Sequence, residues 1–163
     1  MKTNELYNKY CSKGHDTNTP TLWDLEPDKY RHLKPEINII LDRKIKTQDS
    51  QDLGFWILAN YRLGFDNQDK EKLKIILIAK WHDIHEDLVD YVSEFKDEIF
   101  TEDLYKIAID KGTYRKYDDE LESTLRKCVH ALKSINSPNS MAKLEFLINS
   151  GNENVKYALE NYQ

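Results

Sequence analysis

Residues 84–162 read as helix, short turn, helix, over and over, with nothing else inserted. Apolar residues recur at helical spacing inside each segment. The breakers sit only between segments, at Lys111-Gly112, Ser137-Pro138 and Ser150-Gly151. A chain patterned this way can bury its apolar stripes only by laying each helical pair against the next pair. That restricts the fold class to all-α and predicts a stack of antiparallel helical hairpins, an α–α solenoid. Such stacks usually present a surface to a partner rather than enclose an active site.

The periodicity sets the elements. Leu6 and Tyr10 fit a short helix over 1–10, and the polar stretch Ser12–Thr21 reads as a loop. Leu22, Trp23 and Leu25 are apolar anchors ahead of Pro27. A helix follows from about Pro35, a residue tolerated in a first turn, with Ile37, Ile40, Leu41 and Ile45 on one face. Leu53–Leu63 is apolar nearly all round and so reads as a buried helix, closed by Gly64. Leu73–Trp81 is a short apolar run that fits a buried helix or a buried strand; its helical neighbours and Lys70-Glu71-Lys72 favour helix. Ile84, Leu88, Tyr91, Val92 and Phe95 make the next stripe. Thr101 then reads as an N-cap with Glu102 and Asp103 in the first turn, and Gly112 as the end of that helix. Asp118 or Asp119 caps the longest predicted helix, whose face is Leu121, Leu125, Cys128, Val129, Leu132 and Ile135. Ser137-Pro138 opens another helix with Met141, Leu144, Leu147 and Ile148. Gly151 stops it, and Asn152 starts a last helix with Val155, Ala158, Leu159 and Tyr162. The expected pairs are Leu53–Leu63 with Asp69–Lys80, His85–Phe95 with Thr101–Asp110, and Asp119–Ile135 with Asn139–Asn149. The helix from Asn152 would be half of a further repeat. One domain over 1–163 is expected, with 1–50 a divergent helical cap and 51–163 the repeats.

Composition narrows the function classes. Five Gly and four Pro argue against a loop-dominated fold, and no apolar run approaches the ~20 residues that span a bilayer. Cys11 and Cys128 make no metal spacing and read as free thiols in a reducing compartment, Cys128 in the core. With a polar start that lacks a signal-peptide core, this points to a cytoplasmic protein.

The net charge of −5 is unevenly spread. Between Asp83 and Asp103 lie nine acids, Asp83, Glu86, Asp87, Asp90, Glu94, Asp97, Glu98, Glu102 and Asp103, against the single Lys96. A segment of this sign repels nucleic acid and attracts a basic partner. The plain alternative is a solvated helix face with first-turn acids favoured by the helix dipole.

The span Leu125 to Tyr162 resembles a HEAT-like repeat. Its first helix, Leu125-Arg126-Lys127-Cys128-Val129-His130-Ala131-Leu132-Lys133-Ser134-Ile135, is similar to the superfamily's apolar start, basic residue and Ala-Leu-Gly-x-Ile ending, with Lys133 in place of the glycine. Leu144 to Leu147 follows as the Leu-x-x-Leu of a second helix, and Asn154-Val155-Lys156-Tyr157-Ala158-Leu159 looks like the next opening. Trp81 to Leu88 and on through Asp119 look like a bacterial subgroup of these proteins. The resemblance covers about two-thirds of the chain, nothing before Leu53 takes part, and it speaks to fold far more than to function. It implies a non-catalytic, protein-binding module without cofactor. Small acidic proteins of this kind are often encoded beside polymorphic toxins, as in contact-dependent growth inhibition. The resemblance therefore implies an immunity protein that neutralises a basic toxin domain, a nuclease above all, with Asp83, Glu86, Asp87, Asp90, Glu94, Asp97 and Glu98 as the partner-binding residues.

The rival classes have their own candidates. His82 and His85, with Asp83, Glu86 and Asp87, form the best metal grouping. Two imidazoles in His-x-x-His lack the third ligand of a catalytic site, and the pattern is not His-Glu-x-x-His. HEAT-like di-iron hydroxylases use several His-Glu pairs, whereas only His85-Glu86 qualifies here, because Ala131 follows His130. His85 fits better in hydrogen bonds near a hairpin turn. Arg31, Lys34, Arg43, Lys44 and Lys46 are a basic group for nucleic acid, diluted by Asp28, Glu36 and Asp42. The glycines are scattered and form no phosphate loop, no serine sits in a nucleophile elbow, and no chromophore site stands out. Tyr91, Tyr105, Tyr114, Tyr117, Tyr157 and Tyr162 fit either an interface or inter-helix seams with wet hydroxyls.

Overall fold

The computed structural model describes residues 2–11 and 21–162, so the expected loop Ser12–Thr21 lies outside the described residues except for Thr21. Every regular element among the described residues is a helix, and none is a strand. The chain divides into two compact units, up to Asp69 and from Lys70 onward.

The first unit holds α1 (Thr3–Tyr10), α2 (Pro27–Tyr30), α3 (Lys34–Thr47) and α4 (Leu53–Arg62). α3 packs on α4, burying Ile37 and Leu41 of one and Leu53, Trp56, Ile57 and Ala59 of the other. Tyr7 of α1 stacks on Trp56 at 5.7 Å and meets Phe55 edge-on at 4.9 Å. Leu22 and Leu25 are buried anchors as expected, but Trp23 is 57% exposed. In the three-residue 3₁₀ turn Leu22–Asp24 the period of three puts Leu22 and Leu25 inward and Trp23 and Asp24 outward. Pro27 opens the short α2 that the apolar pattern missed. Gly64, at φ +92°, adopts the backbone that ends α4. Asp66 and Asp69 then cap the start of α5 (Asn67–Leu77) reciprocally. Asp66 Oδ1 accepts from the amide of Asp69, and the amide of Asp66 donates to Asp69 Oδ2. Asp69 is buried, and Lys34 Nζ neutralises it at 2.9 Å.

Of the second unit, α5 supplies the first part. The apolar run Leu73–Trp81 is helical rather than a strand, but the helix ends at Leu77 rather than at Trp81. Beyond it lie α6 (His85–Ser93), α7 (Thr101–Ile109), the single turn α8 (Lys111–Tyr114), α9 (Ser123–Ile135), α10 (Pro138–Asn149) and α11 (Glu153–Glu160). α9 is the hub. α6, α7, α10 and α11 all pack on it, and α10 also touches α7 and α11. Leu125, Cys128, Val129 and Leu132 of α9 are buried, as the apolar stripe predicts. Leu121 is not part of that face. It lies before the helix starts and is 59% exposed. α6 and α7 each make their main helix contact with α9 rather than with each other, so the expected pairing of His85–Phe95 with Thr101–Asp110 is indirect.

Caps explain the boundaries. Asp97, not Thr101, opens the α7 region: its carboxylate accepts from the amide of Ile99 in a 3₁₀ turn, which puts Thr101 inside the helix. Gly112 sits within α8 instead of ending α7, because Asp110 accepts from the amide of Thr113 and starts a new turn. Asp118 caps α9 as expected, but from five residues upstream of Ser123. It accepts from the amides of Thr124 and Leu125 at 3.0 and 3.3 Å. α9 is 13 residues long, one short of α3. Ser137 and Ser140 cap α10 reciprocally with Pro138 in the first turn, Gly151 closes α10 at φ +72°, and Asn152 caps α11 by accepting from Asn154. These three boundaries fall where the residue types predict.

A polar node pins the start of α9. Arg115 is 5% exposed. Its Nε donates to the Ile107 carbonyl of α7 at 3.1 Å, and one terminal nitrogen donates to both Asp118 and Glu122, each at 3.1 Å. Asn152 and Asn154 of the α11 cap donate to the other oxygen of Glu122. Burial works against ionisation of Glu122, but those amides and the Arg115 guanidinium outweigh it and hold its pKa down to about 2.

Candidate functional site

Sequence places acids on the solvent side of α6 because its other side is taken. Leu88, Val89 and Val92 are buried, and α6 packs on α9. Asp83, Asp87, Asp90, Glu94 and Glu98 are exposed, and Glu86 is half-buried. Helical spacing puts Glu86, Asp87, Asp90 and Glu94 along one side.

The seven predicted partner-binding residues do not form one uniform patch. Asp97 is engaged internally, accepting from Ile99 and pairing with Lys70 Nζ at 2.7 Å. Glu86 lies 3.0 Å from Lys127 Nζ of α9, and the same ammonium takes Oδ2 of Asp90. Glu102 and Asp103, counted in the acidic segment, pair with Lys143 at 3.0 Å and Lys74 at 2.9 Å. Tertiary structure therefore brings four lysines to a segment that has one of its own. Among the described ion pairs these lysines offset about half of the −8 that the window implies. Exposed pairs of this kind contribute little stability each; their effect is on the field. Although Asp87 stays exposed, protein packed around its carboxyl removes part of its water and raises it above its ordinary range; Lys127 pulls it down, and Glu86 and Asp90 push it up. Negative charge on this side of α6 is thus only partly compensated.

Beside it lies a groove of about 520 Å³. Lys127, His130, Ala131 and Ser134 of α9 line it at i, i+3, i+4 and i+7, the signature of one helix face. Asp90, Ser93, Glu94 and Lys96 line it from α6 and its exit, and Asn161 and Tyr162 from the end of α11. His130 Nε2 donates to the Ala158 carbonyl at 2.8 Å, and its ring meets Tyr162 at 5.6 Å, which holds the α11 side in place. Lys127, His130 and Ser134 were not among the predicted site residues. Their spacing along the polar side of α9 is the sequence signal that marks them.

His82 and His85 serve the backbone. Their ring centroids lie 4.4 Å apart with the planes tilted by 32°. Nε2 of His82 donates to the Ile76 carbonyl and Nε2 of His85 to the Ala79 carbonyl, both at 2.8 Å. Tyr114 donates its hydroxyl to the Ile78 carbonyl at 3.3 Å. These three side chains bind carbonyls at and just beyond the end of α5, where the helical ladder no longer pairs them fully. Among the described residues no group of three or more His, Cys, Asp or Glu is placed to hold a metal ion. Burial lowers both histidines, His82 from 6.5 to about 4. The folded state thus favours the neutral ring. The stability this confers is complete above pH 6.5 and drains away as pH falls toward 4, where the unfolded chain binds the extra proton. The expected result is that His82→Gln flattens the stability profile: between pH 7 and 4 the unaltered protein loses about 2 kcal/mol more than the variant in urea titrations, after discounting for the part of the ring that water reaches. Parallel profiles would remove His82 from this account.

The basic group in the first unit disperses. Lys34 is committed to Asp66 and Asp69, and the buried Lys44 to Asp49 at 2.9 Å and the Gln51 carbonyl, while Arg31 pairs with Asp28. Arg43 and Lys46 stay exposed. Cys128 is wholly buried and its thiol pKa is pushed well up by that burial, whereas Cys11 is half-buried and raised less. Of the tyrosines, Tyr114 is buried, Tyr157 lies under Arg126 at 4.1 Å, Tyr105 sits beside Phe146, and Tyr117 is freely exposed. No helix among the described residues is long and apolar enough to cross a membrane. No family model, no curated protein and no solved structure matches the sequence.

Proposed function

We propose that this protein is a non-catalytic binding module whose acidic α6 side engages a basic surface of a protein partner. The fitting partner is a toxin domain with a cationic, nucleic-acid-binding site, which an immunity protein of this kind would occlude by presenting carboxylates in place of phosphates. The observation that carries the reading is the placement of Asp83, Asp87, Asp90, Glu94 and Glu98 in solvent, on and beside a helix seated on the buried hub α9.

The architecture that goes with this reading is a HEAT-like stack over the second unit. In it α6, α9 and α11 form one layer and α7 and α10 the other. The contacts support it: α9 touches α6 and α11 within its layer and α7 and α10 across it, while α7 touches α10. Each of these is a neighbour contact that a two-layer solenoid requires.

The test is association with a basic nuclease domain encoded beside this gene, followed by stopped flow at several salt concentrations. Reversing Asp87 and Asp90 to lysine is expected to lower the association rate at least tenfold at low salt and to flatten its salt dependence. Unchanged rates with a folded variant would reduce the acidic side to a solvated helix face.

A further inference from the structure

The outer edge of α11 is a surface that the acidic side of α6 does not use. α11 buries Val155 and Ala158, packs on α9 and touches α10. Glu153, Lys156, Leu159 and Glu160 fall on the neighbouring side of the helix, and with Ile148 of α10 they line a cleft of about 240 Å³. That volume lies below the roughly 300–1,000 Å³ of small-ligand clefts. It suits the apolar side chains of a facing helix, which enter such holes singly. Ile148 is 49% exposed and Leu159 half-buried, so apolar surface meets water on both walls. Glu153, Lys156 and Glu160 are exposed, and none of the three takes part in an ion pair among the described residues. The order acid, base, acid along one helix side is complementary to itself when turned end for end.

We infer that this cleft is a contact between two copies of the chain, in which α11 of each copy lies antiparallel to α11 of the other and seats Leu159 against the apolar walls opposite. A two-fold axis crossing α11 at the height of Ala158 fixes the register. Lys156 and Glu160 each stand two residues from that point, so Lys156 of one copy faces Glu160 of the other, and the symmetry makes the pair twice. Glu153 is five residues from the axis. The two Glu153 carboxylates are then roughly 15 Å apart along the helices, beyond the screening length of about 8 Å at physiological salt. Their repulsion is therefore small. Apolar burial supplies the attraction, and the ion pairs set the orientation. The contact is limited in size. α11 has eight residues and so spans about 12 Å, which covers well under the roughly 800 Å² per partner of a standard interface. Association is accordingly weak, with a dissociation constant on the order of 0.1 mM. It uses none of the acids of α6, so it stands or falls apart from the proposed partner binding.

The experiment is sedimentation equilibrium of the full chain at physiological salt, from roughly 10 μM to 1 mM. A monomer–dimer equilibrium is expected. Leu159→Ser is expected to weaken it at least tenfold, and so is Ile148→Asp, which changes an exposed position and leaves the core of α10 alone. Lys156→Glu and Glu160→Lys are each expected to weaken self-association at least fivefold, because each turns both symmetric pairs from attraction to repulsion. An equimolar mixture of these two charge variants is expected to associate within twofold of the unaltered protein, since every facing pair is again opposite in sign. A chain that stays monomeric up to 1 mM overturns the proposal. So does a dimer that survives Ile148→Asp, or a mixture that associates no better than either charge variant alone.

Discussion

Arg115→Met is expected to cost about 3–5 kcal/mol of unfolding free energy, the loss usual when one partner of a buried ion pair is removed. The guanidinium is the one cation within salt-bridge distance of the Asp118 carboxylate among the described residues, and it shares Glu122 with Lys111. Methionine fills similar volume but leaves both carboxylates without it in a place water hardly reaches. The Ile107 carbonyl also loses its donor. Asp118 caps α9, so the damage falls on the helix that organises the second unit. A second readout separates charge from packing. Glu122 titrates at about 2 when folded, so it contributes stability that is complete above its unfolded value near 4.5 and is lost as pH falls through 2. Without Arg115 that depression shrinks, and the acid limb of the stability profile between pH 4.5 and 2 becomes shallower. A loss under about 1 kcal/mol, with the acid limb unchanged, would show that the node behaves like a surface pair.

Leu132→Ala is expected to cost about 4 kcal/mol, toward the upper end of the range for leucine truncation. Leu132 is wholly buried on α9, and four other helices pack on that helix. The site has little freedom to collapse, because closing the cavity would draw in helices fixed by caps at Asp118, Ser137 and Asn152. The residual void therefore adds most of its cost to the lost transfer energy. Ile148→Ala on α10, where the side chain is 49% exposed, is the control, expected to cost under about 1 kcal/mol. Urea titrations of both proteins decide it; equal, small losses would mean that α9 is not the hub.

Three kinds of feature were legible in the sequence for local reasons. Apolar spacing of 3.6 located the helices, since an amphipathic helix announces its buried stripe in its own residues. Ser137-Pro138, Gly151 and Asn152 located boundaries, since a cap acts on amides two or three residues away. Cys128 was placed in the core because it falls on the stripe of α9. Boundaries were not legible where the deciding partner lies outside the helix's own periodic pattern. α5 ends at Leu77, where His82 binds the Ile76 carbonyl within the helix and His85 and Tyr114 bind the Ala79 and Ile78 carbonyls just past it, and Tyr114 is 36 residues from Ile78. Thr101 looked like a cap because Asp97 acts through a 3₁₀ turn that no periodicity marks.

The acids of the candidate surface show the same division. Their number and their position on the outer side of α6 follow from the sequence alone, because Leu88, Val89 and Val92 claim the inner side. How much negative charge survives there was decided only by the tertiary structure. Lys127 reaches Asp90 across 37 residues, and Lys70 and Lys74 reach Asp97 and Asp103 across 27 and 29. A run of charge in a sequence records only its covalent neighbours, whereas the Coulomb field depends on distance through space. The same reason hid the groove: its floor is written in α9, but its sides exist only where α6 and α11 come to rest against it.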